Sequence, residues 1–137
     1  MSELKQNEID ALLEALEDEY RAWATYDQVV HDFGEVRPFI NIREAEARHI
    51  EALSALFSSY GLVLPENSWP GRVTRYESLQ EACEAGIAAE IENGKMYERL
   101  LKSTKKQDIL GVFRNLQEAS QQRHLAAFKR CAGRGRR

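Results

Sequence analysis

Apolar residues recur at intervals of three and four through most of the chain, the period of a helix buried along one face. Leu12, Leu16, Trp23, Tyr26 and Val30 trace one such seam and predict a helix over about 8–33, opened near Asn7 and Asp10 and stopped by Gly34. Phe39, Ile42, Leu53, Leu56 and Tyr60 trace a second over 38–60, with Pro38 at a first helical position, where its fixed φ is suited. Ser78 and Glu81 have the spacing of a capping box and start a third over 78–102, with Cys83, Gly86, Tyr97 and Leu101 along its face. Leu110, Phe113 and Phe128 mark a fourth over 107–131. No segment alternates with the period of a strand, so the class is all-α.

The connections set the topology. Residues 34–38 and 103–106 are short and make two antiparallel hairpins, whereas 61–77 holds Pro65, Pro70 and two glycines and reads as a loop of 17 residues. At roughly 3.3 Å per extended residue that loop can run the ~33 Å length of a 22-residue helix. Two hairpins joined by one long crossover make an antiparallel four-helix bundle of ferritin-like topology.

Each seam is polar at its centre. Glu19 interrupts the first, Glu46 and His49 the second, Glu90 the third, and Gln117, Gln121 and His124 the fourth. An unpaired buried carboxylate costs several kcal/mol, so three of them would rival the whole stability of a domain unless something neutralises them. Two metal ions would do so, since carboxylate oxygens and imidazole nitrogens suit iron, manganese or zinc. Glu46-x-x-His49 places both donors one turn apart on one helical face. The halves also repeat: Tyr26 follows Glu19 by seven residues as Tyr97 follows Glu90, and Gln121-x-x-His124 echoes Glu46-x-x-His49. Each tyrosine leans back toward the layer of its glutamate, as a hydrogen-bond partner to a metal ligand.

Over about 8–130 this pattern resembles the ferritin-like superfamily, and within it the rubrerythrin-related branch of short prokaryotic proteins. The resemblance implies a di-iron carboxylate site built from Glu19, Glu46, His49, Glu90 and His124, reacting with dioxygen or peroxide as an oxidoreductase or ferroxidase. Two departures are plain. Gln121 stands where the pattern has a glutamate, leaving an amide that coordinates only weakly, and nothing supplies the four-cysteine iron site of rubrerythrins proper. A metal-storage module and a metal-free bundle kept as an interaction scaffold are the competing readings.

Composition narrows the picture further. The 137 residues are 43% hydrophobic, enough for one domain over 1–137. A net charge of −3 gives no global attraction to nucleic acid or an anionic membrane, and no apolar run approaches a ~20-residue span. Such a chain reads as cytoplasmic, and a bundle of this size has room to pair as a homodimer. Cys83 and Cys131 lack a CxxC partner and read as free thiols near the core. Glu17, Glu44, Glu92 and Glu118 are placed on the solvent side, Trp23, Tyr60 and Phe128 in core or dimer contacts, and His31 has no chemical role. The basic tail 132–137 reads as a frayed end.

Overall fold

The computed structural model of the protein describes residues 4–134. Helix α1 spans Gln6–Phe33, α2 Phe39–Ser59 and α3 Leu79–Leu100. The fourth rod is not one regular helix: α4, Gln107–Glu118, passes through a π-helical segment, Ala119–His124, into α5, Leu125–Arg134. The rods pack as an all-α four-helix bundle with ferritin-like topology. Ser78 caps α3 as its spacing predicts, its Oγ accepting the Glu81 N–H. Asn7 does not open α1. The helix starts at Gln6, and the Asn7 side chain donates instead to the Ser103 carbonyl at 3.1 Å.

The long crossover lies along α1. Tyr20 donates to the Pro65 carbonyl at 2.6 Å, Trp69 Nε1 to Glu17 at 3.0 Å, and Arg75 clasps Asp32 near the helix end. Glu17, expected in solvent, is therefore drawn under the loop. Trp23 departs from its predicted seam too and is only half buried, while Ala24 beside it is buried.

Two apolar clusters flank a polar middle layer. Leu12, Leu16, Leu53, Phe57, Tyr97 and Phe113 fill one end of the bundle. Tyr26, Val29, Phe39, Ile42 and Phe128 fill the other. Cys83 and Cys131 belong to the second end, where they are joined in a disulfide with Cα atoms 5.9 Å apart, so the expectation of free thiols is corrected. The link connects positions 48 residues apart that only the packing of α3 against α5 makes neighbours.

Near the opposite end, Glu8 ties α1 to the α3–α4 turn. It accepts from the Thr104 hydroxyl and from the Lys5 N–H, which hold its carboxyl below its ordinary value of 4.5. A depressed native value contributes stability that is present above the unfolded value and is lost as pH falls through the native one. Glu8→Gln is therefore expected to lower stability by about 1–2 kcal/mol at pH 7. In thermal melts the gap to the parent should close as the pH is taken well below about 4.5.

Candidate metal centre

Helical spacing brings ionisable groups from all four rods into the middle layer, two of them from α2. Glu19, Glu46 and Glu90 are 1–2% exposed, His49 8% and His124 3%, so all five predicted charged donors are buried together. They form two triads that share one residue, Glu19–Glu46–His49 and Glu46–Glu90–His124. Glu46 stands between them: its Oε1 lies 3.1 Å from His49 Nδ1, and its Oε2 lies 3.7 Å from His124 Nδ1. The outer carboxylates complete the symmetry, with Glu19 Oε1 3.6 Å from His49 Nδ1 and Glu90 Oε1 3.6 Å from His124 Nδ1. The two imidazoles stack 5.5 Å apart at 18°.

The tyrosines cross over. Tyr26 of α1 donates to Glu90 Oε2 of α3 at 2.7 Å, and Tyr97 of α3 donates to Glu19 Oε2 of α1. Each expected partner is present, but it serves the glutamate of the other helix rather than its own. The outer oxygen of each terminal carboxylate is thereby fixed, leaving the inner one toward its histidine. Burial and the adjacent glutamate charge push both tyrosine hydroxyls well above their ordinary value, so they stay protonated as donors.

The fourth rod carries the main departure. A π turn holds more residues than an α turn, so Ser120, four before His124, comes to the side of the rod that faces the site. Its Oγ donates to Glu90 Oε1 at 2.6 Å. Gln121 turns its amide nitrogen toward α3: Nε2 donates to the Glu90 backbone carbonyl at 2.7 Å and lies 3.0 Å from Ser120 Oγ. That amide fits against α3 because residue 94 is glycine, where a Cβ would come within 2.4 Å of it. Gln117 donates to the Gly94 carbonyl nearby at 3.1 Å.

Two contributors were not singled out from the sequence. Ser120 could not be, because the π segment sets its direction. Asn93 could have been, since it is three residues after Glu90 on the same face. Its Nδ2 donates to Asp18 at 2.8 Å and lies 3.4 Å from Glu19 Oε2. Burial, partly opposed by that Asn93 bond, raises the Asp18 carboxyl above its ordinary range.

The donor set fits a metal pair. Three buried carboxylates have no lysine or arginine ion-paired to them among the described residues, and buried His124 Nδ1 has no hydrogen-bond partner. Burial and then the Glu19 charge push the Glu46 carboxyl well above the ordinary range. Burial would raise Glu19 as well, but hydrogen bonds from Glu46, His49 and Tyr97 bring it down to about 2. The two carboxylates oppose each other's charge in a buried layer, a conflict that bound cations would relieve.

Fold and site together define a ferritin-like four-helix bundle with two buried Glu/His triads suited to a pair of metal ions. Residues 8–137 match the family described as an uncharacterized protein domain, DUF2202, and the chain belongs to that family. The fold is similar to the crystal structure of a hypothetical protein from Methanococcus jannaschii DSM 2661, with a TM-score of 0.87 and 23% identity, covering 98% of this chain and 85% of that one. No curated protein matches the sequence.

Proposed function

We propose that the two triads bind two iron ions and that the protein is an oxidoreductase of rubrerythrin-related descent, acting on dioxygen or peroxide. The observation that carries this reading is Glu46, which turns one oxygen to each histidine at the centre of an otherwise two-fold arrangement. Glu19 and His49 would hold one ion, Glu90 and His124 the other, and Glu46 would bridge them. Manganese or zinc suits the same donors, and of these iron and manganese would add redox chemistry. Bound iron would supply Lewis acidity and electrons to the oxidant. The protein's own part is to orient and to exclude: Tyr26 and Tyr97 lock the outer carboxylate oxygens, Ser120 steadies Glu90, and the apolar clusters on either side keep bulk water away.

Peroxide added to anaerobic, ferrous-loaded protein should oxidise the iron with a change in near-ultraviolet absorbance, and His124→Ala should lose most of that change. Oxidation no faster than that of ferrous ion in buffer would sink the proposal.

A second reading has its own support. Hydrogen bonds from Tyr26, Tyr97 and Ser120 to Glu90 and Glu19 support a metal-free polar layer, as in a bundle retained as a scaffold. Chelator separates the two readings, since a metal bound only by the native state must raise the melting temperature and its removal must lower it.

A further inference from the structure

Beside the metal centre, α2 and the fourth rod leave a cleft of about 750 Å³, within the size range of small-molecule sites. His124 forms part of its floor. The helices run antiparallel here, since His49 stacks on His124 and Phe39 packs on Phe128 further along. On the α2 side the wall carries Arg37 from the turn before the helix, then Asn41, Ala45 and Arg48, spaced by four and three residues along one face of α2. On the other side it carries Arg123, Ala127, Arg130 and Arg134, spaced by four, three and four.

Five arginines therefore line one cavity, and no aspartate or glutamate among the described residues lines it. None of the five holds a carboxylate among the described residues, whereas Arg21, Arg43, Arg75 and Arg99 elsewhere each do. This happens in a chain of net charge −3, against the sign of the whole molecule. Five guanidinium groups at close quarters repel one another, and a multivalent anion relieves that repulsion while accepting paired N–H bonds from each fork. The cleft also reaches the start of α2, which has no side-chain cap and no acidic residue in its first turn, so the positive end of the helix dipole is uncompensated.

We infer that this cleft binds a compact polyphosphate, a di- or triphosphate group that is either free or carried by a nucleotide. The five arginines line the walls of one cleft rather than an open face, which favours a small ligand over a nucleic-acid strand. Pro38, Ala45, Ala126 and Ala127 give the cleft an apolar part on which the base of a nucleotide could rest. This inference is independent of metal: it stands if the triads hold no iron, and fails without touching them.

The test is isothermal titration of the full chain, with and without bound metal, using inorganic triphosphate, ATP and citrate at low salt. Triphosphate should bind one per chain, at least tenfold tighter than citrate, and weaken as salt is raised. Equal affinity for ATP would assign recognition to the phosphate chain alone, and tighter ATP binding would add the apolar wall; both support the site. Arg48→Gln/Arg130→Gln should weaken binding at least tenfold, with an unchanged melting temperature and metal content, because both side chains are exposed. Absence of binding, equal binding by the double variant, or single-stranded RNA binding where triphosphate does not, would overturn the inference.

Discussion

Glu46→Ala is expected to abolish metal binding at both positions, from two ions per chain to none. The reason is geometric: Glu46 is the one residue common to both triads, and its two oxygens face different histidines. His49→Ala and His124→Ala each touch one triad and should each reduce the content to about one. The metal-free Glu46→Ala protein should still fold, because the apolar clusters at both ends of the bundle are untouched and a buried charged group is removed. Elemental analysis alongside circular dichroism of the three variants checks the pattern. A Glu46→Ala protein that keeps two ions would show that the shared carboxylate is not a ligand.

Phe128→Ala should have the largest effect on stability, about 3–5 kcal/mol. Phe128 is fully buried, its ring centroid lies 5.3 Å from those of both Tyr26 and Phe39, and it packs over Gly86. The opposite change at the same contact should cost less. Gly86→Ala would place a Cβ 2.8 Å from the Phe128 ring, an overpacking worth about 1–3 kcal/mol, against which alanine recovers up to about 1 kcal/mol of helix propensity. The pair should not add, because the methyl group that Gly86→Ala introduces partly fills the space that Phe128→Ala opens. Urea denaturation of both single variants and the double variant measures the coupling, expected at about 0.5 kcal/mol or more in the favourable sense. Tyr26 also anchors Glu90, so Phe128→Ala is expected to loosen the Glu90–His124 half of the site as well.

The middle layer was legible because burial of charge violates the helical pattern in a regular way. Glu19, Glu46, His49, Glu90 and His124 each fall near the middle of the seam of their own helix, which points them all to the bundle interior. What spacing could not give is anything that depends on helix irregularity or on registry between helices. One π segment is enough to bring Ser120 to the Glu90 carboxylate while the Gln121 amide nitrogen goes to the Glu90 backbone, and no residue type announces it. The crossed pairing of Tyr26 with Glu90 and Tyr97 with Glu19 needs the relative heights of α1 and α3, whereas the sequence reports only distances along each helix. The Cys83–Cys131 link and the arginine cleft share that origin, for each joins ordinary positions on two rods whose facing is settled by packing. Trp23 and Glu17 went astray for a simpler reason: a loop lying along α1 changes which faces meet solvent, and its path was not readable from its prolines and glycines.

Mass spectrometry of the intact protein under native conditions, after anaerobic loading with ferrous ion and removal of excess, tests the central claim most directly. The account predicts a mass increase of two metal ions per chain, together with a stabilisation of about 4 kcal/mol per site when free metal stands a thousandfold above its Kd. The bare mass of the chain, with a melting temperature that neither metal nor chelator moves, would contradict it.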